Sequence, residues 1–379
     1  MTTTWVAAFR SAVIDPSQLS FNQPLSFTGM TLRQILHLDG GGTTLRVRLS
    51  NRYGTDPLSV AAARVAVRPA GGRGGEIDPE TDTGLRFDGR DGTTVPAGGE
   101  VVSDPVELAV EAGTDLVLSL YLPEETGLAT FSHQPAETGY VVEGDAVSAT
   151  TLPGAREVGA RFYVTGVDVL APEGTTVAVA FGDSWFEGVG TTTGANRRSP
   201  NLLNRRLERG WAVNQGIAGN RLLADGIGEH ALARFERDVL QVPGVSHVLV
   251  NFGINDLGLP GMWGQPPVTA GELVAGFTEL ARRSHEAGLR ILVATIGPFA
   301  DSTYPGLDSP EVREIRRTVN EWIRGTDVFD GVFDVAAAVQ DPERPDHLRA
   351  EFDSGDHTHL NDAGAQAMAE TVDLGLLKL

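Results

Sequence analysis

The chain of 379 residues contains no cysteine, and this absence excludes several kinds of chemistry at once. Disulfide frameworks, thiolate metal sites and cysteine nucleophiles cannot occur. The chain also lacks any run of about eighteen apolar residues, so we expect no membrane span and no membrane partner. Its start, MTTTWVAAFRSAV, has no basic cluster ahead of an apolar stretch and does not predict a signal peptide. We therefore expect a cytoplasmic protein, or a secreted one if a leader has been removed.

Basic residues are scarce relative to acidic ones. The chain has 30 Lys and Arg against 50 Asp and Glu, which gives a net charge of −20 at pH 7. Such a chain repels phosphate backbones, so we expect no nucleic-acid partner. The acidic residues are spread along the sequence, which is typical of a solvated surface. With 41% hydrophobic residues, the chain can fill the cores of two domains.

Up to about residue 170, short runs alternate between apolar and polar residues. The segment TLRVRL at 44–49 places three apolar side chains on one face, and DLVLSLYL at 115–122 places four there. Clusters of Gly, Pro, Asp and Asn separate such runs, as in RPAGGRGGEIDPETDTG. The pattern predicts an antiparallel β-sandwich, jelly-roll-like, over residues 1–172.

From about residue 176 the pattern changes to strands that alternate with helices. Apolar runs of strand length are TVAVAFGD, WAVNQGIAG, HVLVNFG, RILVATIGP and GVFDVA. Between them lie PNLLNRRLERG, GELVAGFTELARRSHEAG and PEVREIRRTVNEWIRG, in which apolar residues recur at helical spacing. The alternation predicts an α/β domain with a parallel sheet covered on both faces over residues 173–379. APEGT at 171–175 is expected to link the two halves.

Four segments with reactive residues follow the predicted parallel strands. They are FGDS at 181–184, GIAGN at 216–220, GIND at 253–256 and DHTH at 356–359. Ligands of open parallel sheets bind beyond the carboxyl ends of the strands, so we expect these segments to converge.

The residue types in these segments suit acyl transfer. A serine hydroxyl needs an adjacent base before it can attack, and His359 can serve Ser184 in this way. A carboxylate three residues earlier, Asp356, can orient that histidine. The developing oxyanion needs donors, and the N–H groups of Ser184 and Gly219 with the side-chain amide of Asn255 can supply them.

These segments resemble the conserved blocks of the SGNH hydrolases, the GDSL-type lipases and esterases. GDS matches the nucleophile block of the family, and Gly219 matches its glycine block. GIND matches the GxND block, and DHTH matches the DxxH block. The four blocks occur in the family's order between about residues 178 and 370. The resemblance implies a flavodoxin-like three-layer α/β/α fold, an oxyanion hole formed by Ser184, Gly219 and Asn255, and no cofactor. The first half resembles the β-rich domain that precedes the hydrolase in two-domain members of the family.

The sequence departs from the family beside the serine. Trp185 and Phe186 stand where many members have a small or hydroxyl residue, and we expect them to narrow the entrance or line the acyl pocket. Met262 and Trp263 lie in the Gly- and Pro-rich stretch 257–269, which is expected to form a wall of the acyl site, a mobile lid or an ordinary surface loop.

A second histidine, His357, stands where the family often has glycine. Together with Asp356 and His359 it could suggest a metal site, but the other histidines, at 37, 133, 230, 247, 285 and 347, lack ligand-like spacing. No metal is therefore predicted, and the family spacing selects His359 as the base. Asp183 is expected to order the serine turn rather than to transfer protons.

The sequence thus predicts a serine esterase that cleaves small-molecule or glycan esters of short acids through an acyl-enzyme. Two alternatives remain at this point. One is an acyltransferase that passes the same acyl group to a sugar or alcohol. The other is a catalytically silent protein that binds carbohydrate through the β domain. The sequence carries no signal for a particular oligomeric state.

Overall fold

The computed structural model describes residues 2–18 and 21–377. The chain divides into two compact units, Met1–Thr175 and Thr176–Leu379. Within the described residues, no helix combines the length and the apolar character needed to cross a membrane.

The first unit is built from antiparallel strands, as predicted. They are β1 (Thr3–Arg10), β2 (Met30–His37), β3 (Leu45–Ser50), β4 (Leu58–Val60), β5 (Ala62–Val67), β6 (Thr83–Gly84), β7 (Thr93–Val95), β8 (Glu100–Val102), β9 (Asp115–Leu122), β10 (Phe131–Ser132), β11 (Gly139–Glu143), β12 (Arg156–Val158), β13 (Arg161–Phe162) and β14 (Val164–Pro172). One sheet has the order β1-β14-β3-β8 and another the order β12-β11-β2-β9-β5-β6, with β10-β13 and β4-β7 as short ribbons. The jelly-roll connectivity stays a prediction.

Alternation in β3 follows the predicted pattern. Its leucines and valine are buried, while Arg46 and Arg48 on the other face reach the carboxylate of Asp168 in β14 at 2.9 and 2.8 Å. Arg10 of β1 contacts the same carboxylate at 2.5 Å. Burial alone would raise the pKa of Asp168, but the guanidinium groups of Arg10 and Arg48 outweigh it and lower that pKa.

Strand β9 is buried on both faces, whereas its alternation predicts one buried face. It lies between β2 and β5 within the six-stranded sheet. On the face opposite its leucines, Val117 packs with Ala66 and Ile77 in a small apolar cluster. This cluster explains the difference, since the second face of β9 has a cover of its own.

The second unit contains a five-stranded parallel sheet. Its strands are β15 (Val177–Gly182), β16 (Trp211–Gly216), β17 (Val245–Asn251), β18 (Arg290–Ala294) and β19 (Gly331–Phe333). The spatial order β16-β15-β17-β18-β19 is 2-1-3-4-5 in chain order, the flavodoxin-like arrangement. All six residues of β15 are buried, so both faces of the sheet are covered.

Helices cover the two faces as separate groups. They are α1 (Ser184–Glu187), α2 (Ser199–Asn204), α3 (Ala231–Phe235) with a π-helical turn (Glu236–Leu240), α4 (Ile254–Met262), α5 (Ala270–Glu286), α6 (Pro310–Gly325), α7 (Val335–Val339), α8 (Asp362–Glu370) and α9 (Leu374–Leu377). α3 and α4 contact the pair α5 and α6, whereas α1, α2, α7 and α8 contact one another. The predicted three-layer α/β/α fold is therefore confirmed.

The stretch 257–269 is only partly a loop, and this part of the prediction was wrong. Its first six residues belong to α4, which contains Pro260. A side chain at Gly258 would collide with Leu307, and one at Gly261 would collide with the backbone of Gly306. These glycines therefore serve the close packing of a helix rather than the flexibility of a loop.

Candidate active site

The nucleophile candidate, Ser184, lies where the first parallel strand passes into a helix. β15 ends at Gly182, and α1 begins at Ser184 with Asp183 as its N-cap. The Asp183 carboxylate accepts the backbone N–H of Trp185 at 3.1 Å, the turn-ordering contact expected of it. The strand order reverses beside β15, so Ser184 stands at the switch point where ligands of such sheets bind.

His359 meets Ser184 across 175 positions of sequence. Its Nε2 lies 3.0 Å from the Oγ of Ser184, and its Nδ1 lies 2.6 Å from Oδ2 of Asp356. When Nδ1 carries the proton and donates it to the carboxylate, Nε2 offers a lone pair to the serine hydroxyl. The structure thus joins the three residues of the predicted triad in one chain of hydrogen bonds.

The Asp356 carboxylate is fixed at both oxygens. Its Oδ1 accepts the backbone N–H groups of Thr358 and His359 at 2.9 and 2.8 Å. Its Oδ2 accepts Nδ1–H of His359 and the hydroxyl of Tyr304, the latter at 3.2 Å. Burial alone would raise the pKa of Asp356, but these hydrogen bonds and the charge of His359 hold it well below the usual range.

Two of the expected oxyanion donors are backbone N–H groups that the fold leaves open. In the described part of the chain, neither the N–H of Ser184 nor that of Gly219 donates to a protein acceptor. Gly219 has φ +79° in a turn closed by the hydrogen bond from Asn220 N–H to the carbonyl of Ile217. A side chain at this position would also collide with Ile227, so glycine is required twice.

The third expected donor, Asn255, is the second residue of α4 and is buried. Its Nδ2 donates to the carbonyl of Asn220 at 3.0 Å and contacts Oδ2 of Asp183 at 3.4 Å. The amide therefore bridges the nucleophile turn and the glycine loop. All three predicted donors lie just beyond the carboxyl ends of neighbouring strands.

Asp256 holds the glycine loop from the other side. Its two carboxylate oxygens accept the backbone N–H groups of Leu222 and Leu223 at 2.8 and 3.0 Å. Burial raises the pKa of Asp256 to about 6. Burial, with the nearby charge of Asp256, raises the pKa of Asp183 to about 7. Two acidic side chains thus lie in the dry interior beneath the site.

Sequence reasoning missed Arg234, a fully buried residue of α3. Its guanidinium donates to the carbonyls of Gly182 and Gln215 at 3.0 and 2.9 Å and to Oδ1 of Asn220 at 3.0 Å. It also pairs with Asp238 at 3.1 Å. One side chain thereby ties the ends of β15 and β16 to the glycine loop. No local signal marks it, because arginine on a short helix usually predicts an exposed position.

The four residues expected to contact substrate divide into two pairs. Trp185 and Phe186 are each 3% exposed, so neither presents a wall to an entering ligand. Met262 and Trp263 are 36% and 37% exposed at the end of α4. The Trp263 ring lies 5.2 Å from the guanidinium of Arg221, on the loop that follows the glycine block. Only the second pair offers surface to a ligand.

His357 is turned away from the triad. It is half exposed and pairs through Nδ1 with Asp353. Its φ of +58° is left-handed, a conformation that glycine adopts freely and histidine tolerates better than most residues. This explains why a glycine suits the position. Among the described residues, no three His, Asp or Glu side chains gather as they would around a metal ion.

Comparison with known proteins identifies the second half of the chain. Residues 180–367 match the model of the GDSL-like Lipase/Acylhydrolase family. No curated protein matches the chain.

Several solved structures are similar in fold. A lipolytic protein of the G-D-S-L family from Desulfitobacterium hafniense DCB-2 is 18% identical, with 54% of this chain and 99% of that chain covered and a TM-score of 0.40. A carbohydrate esterase family 2 enzyme with a carbohydrate-binding domain from Corynascus thermopiles (Myceliophthora fergusii) is 11% identical, with 99% of each chain covered and a TM-score of 0.42. The aryl esterase of M. smegmatis is 14% identical, with 52% and 95% covered and a TM-score of 0.40.

The family match includes the end of the strand before the nucleophile, the glycine and GIND segments and the DHTH turn. It assigns carboxylic ester hydrolysis to this unit, in agreement with the order of the motifs. Residues 180–367, within the second unit, form a GDSL-like lipase/acylhydrolase domain.

Proposed function

We propose that the protein is a serine esterase that works through a covalent acyl-enzyme. The observation that carries this proposal is the chain of contacts from Ser184 Oγ to His359 Nε2 at 3.0 Å and from His359 Nδ1 to Asp356 at 2.6 Å. A nucleophile, a base within hydrogen-bond reach and a group that orients the base are the parts that acyl transfer requires.

In the first stage, His359 takes the proton of Ser184 as the hydroxyl oxygen attacks the ester carbonyl. The carbonyl oxygen gains negative charge, which the N–H groups of Ser184 and Gly219 stabilise. The Asn255 amide adds a third donor when the oxyanion replaces its long contact of 3.4 Å with Asp183. The C–O bond of the ester breaks, and the alcohol leaves with the proton from His359. In the second stage, His359 takes a proton from water as the water oxygen attacks the acyl carbon. The bond between that carbon and Ser184 Oγ then breaks, the proton passes from His359 to Ser184, and the acid is released.

We further propose that the acyl group is short and that acylated carbohydrates are among the substrates. An aromatic side chain stands beside the Ser184–His359 pair, since the ring of Tyr304 lies edge-on to that of His359 with 5.8 Å between the ring centres. A series of p-nitrophenyl esters of increasing acyl length tests the first part, with kcat/KM expected to fall beyond short chains. Release of acetate from acetylated sugars tests the second part.

Replacement of the nucleophile tests the mechanism. Ser184→Ala is expected to fold normally and to lose nearly all hydrolysis of p-nitrophenyl acetate, because the variant lacks the hydroxyl that lies 3.0 Å from Nε2 of His359. A phosphonate that traps serine nucleophiles should add its mass to the parent chain and not to the variant. The matched control is Ser199→Ala, a buried serine outside the triad. Full activity of Ser184→Ala would refute the proposal.

Transfer to another acceptor is a distinct outcome of the same chemistry. If a sugar or alcohol added to the assay becomes acylated faster than acid is released, the acyl-enzyme is captured by that acceptor rather than by water. Product analysis at increasing acceptor concentration measures the ratio. We expect hydrolysis to dominate.

A further inference from the structure

The indole of Trp185 reaches from the nucleophile helix to the turn that carries the histidine. It is buried, and its Nε1–H donates to the carbonyl oxygen of Thr358 at 3.0 Å. Trp185 directly follows Ser184, and Thr358 directly precedes His359. Two hydrogen bonds therefore join the segment Ser184–Trp185 to the segment Thr358–His359. One connects the side chains of Ser184 and His359, and the other connects the indole to the Thr358 carbonyl.

The fold makes room for this indole at Gly297, three residues after β18. A Cβ at Gly297 would fall on the outer ring of Trp185. The backbone of Gly297 lies outside the left-handed region, so its conformation does not demand glycine. Glycine is required at position 297 because any side chain there would occupy the space of the Trp185 indole.

The far end of the contact is itself well held. Thr358 is 3% exposed, and its hydroxyl lies 2.7 Å from that of Ser302. The N–H of Thr303 donates to the carbonyl of Asp356 at 3.0 Å. These contacts tie the histidine turn to the segment after β18, whereas the indole ties it to the nucleophile helix.

We propose that Trp185 is a positioning residue, whose indole N–H fixes the Thr358 carbonyl and thereby keeps His359 Nε2 within hydrogen-bond reach of Ser184 Oγ. This inference rests on the proposed function, because it assigns Trp185 to the Ser184–His359 pair. A catalytic group displaced by about 1 Å can lose about 100-fold in rate, so a loosened histidine turn is visible in kcat. Substrate binding does not involve the buried indole, and KM is therefore unaffected.

The test uses two variants of the full chain. Trp185→Phe removes the N–H and the outer ring, while Trp185→Phe combined with Gly297→Ala returns a methyl group to the vacated space without a donor. We expect kcat on p-nitrophenyl acetate to fall about 10- to 100-fold in both, with KM within about twofold of the parent. The double variant should regain part of any loss in melting temperature but none of the loss in kcat. Trp322→Phe, a half-buried tryptophan that packs on Phe329, is the matched control and should keep full kcat.

An isosteric replacement separates the hydrogen bond from the packing. Benzothienylalanine introduced at position 185 places sulfur where the N–H was and keeps the shape of the rings. We expect the same loss in kcat as for Trp185→Phe. Unchanged kcat in this variant, or recovery of kcat together with melting temperature in the double variant, would overturn the inference.

Ser184→Ala in the same assay distinguishes this failure from that of the proposed function. If Ser184→Ala is inactive while the position-185 variants keep full kcat, only the role of Trp185 is overturned. If Ser184→Ala remains active, the triad mechanism itself is overturned.

Discussion

The carboxylate of Asp356, which we propose orients His359, shows how one short turn can fix a side chain. Two backbone N–H groups hold Oδ1, and the His359 ring and the Tyr304 hydroxyl hold Oδ2. These donors fix the plane of the carboxylate and therefore the direction of the imidazole. Burial, with the charge of Asp356, raises the pKa of Tyr304 to about 12, so the phenol stays a neutral donor at working pH.

Neutralising this carboxylate is expected to slow the reaction strongly without disturbing the fold. Asp356→Asn should lower kcat about 10⁴-fold, because an amide cannot stabilise the imidazolium and favours the wrong tautomer. Stopped assays on p-nitrophenyl acetate with a thermal melt check the rate and the fold. The matched control is Asp353→Asn in the same loop, whose amide oxygen can still accept the N–H groups of Gly355 and His357, and it should keep kcat within about twofold. Equal losses in both variants would contradict the assignment.

The hydrogen bond from Tyr304 to Oδ2 of Asp356 is expected to contribute less to the rate than the carboxylate itself. Tyr304→Phe removes one donor to Asp356 Oδ2 but leaves the His359 contact in place. The expected loss in kcat/KM is about fivefold, which corresponds to about 1 kcal/mol for one hydrogen bond. The ring stays edge-on to His359, so the melting temperature should change little. No loss at all would show that the backbone donors alone orient the carboxylate.

Which residues of the site can be predicted depends on how far apart their partners lie. Asp356 and His359 are three positions apart, and the spacing is visible in the sequence. The indole of Trp185 finds its acceptor 173 residues away, and Tyr304 finds Asp356 at a separation of 52. Such contacts follow from the packing of separate elements, so no local pattern predicts them. The short motifs therefore indicate Ser184, Asp356 and His359, which the structure brings together, whereas Tyr304 and Arg234 carry no local signal.

At the scale of elements, the ends of β15 and β16 are joined to the glycine loop by one buried cation. Parallel strands leave carbonyl groups open at their carboxyl ends, and Arg234 donates to two of them, on Gly182 and Gln215. The same guanidinium reaches Asn220 and lies 4.2 Å from the ring centre of Phe181. The position of the loop therefore depends on a residue outside all four motifs.

Removing this cation should destabilise the second unit. Arg234→Met removes a buried donor from the carbonyls of Gly182 and Gln215, while Asp238 keeps Arg237 as its partner, and the expected loss in the free energy of unfolding is about 1–3 kcal/mol. Urea denaturation of the full chain, followed by tryptophan fluorescence, measures it. Arg282→Met, on the exposed face of α5, breaks surface ion pairs and should leave the midpoint unchanged. A midpoint equally unmoved in Arg234→Met would refute this role.

Helices with a capping signal at the start and apolar residues at helical spacing were predicted from the sequence. Helix α4, which contains residues typical of loops, was not. α5 begins with a capping box formed by Thr269 and Glu272, and α6 begins at Pro310 behind a Ser309 cap. α4 carries Gly258, Pro260 and Gly261, which predict a loop by composition. There the helix forms because close packing against the segment at 306–307 admits only glycine, and that contact is invisible in the sequence.

At the scale of the whole molecule, the pH dependence of stability is set by buried carboxyl groups whose pKa values are shifted in opposite directions. Asp168 sits among three arginines, and its pKa is lowered, so its contribution to stability is present at neutral pH and lost only in acid. Asp183 and Asp256 behave in the opposite way, because burial raises their pKa values to about 7 and about 6. The net charge of −20 adds repulsion that grows as carboxylates ionise.

These terms predict a protein that is more stable slightly below neutral pH than above it. A carboxyl group whose folded pKa exceeds its unfolded value of about 3.9 binds its proton more tightly when folded, so the free energy of unfolding falls as pH rises between those two values. For Asp183 and Asp256 that window runs from about pH 4 to about pH 7. We therefore expect a higher melting temperature at pH 6 than at pH 8, measured by calorimetry at constant ionic strength.

Asp183→Asn removes one of the two raised groups and should reduce the difference in melting temperature between pH 6 and pH 8. Added salt separates this local effect from the general repulsion, since it screens the surface charges while the buried carboxyl groups are screened much less. If salt abolishes the pH dependence and Asp183→Asn leaves it unchanged, surface repulsion alone is its source. If the variant flattens the profile at high salt, the ionisation of a buried carboxyl group beneath the active site limits stability at alkaline pH.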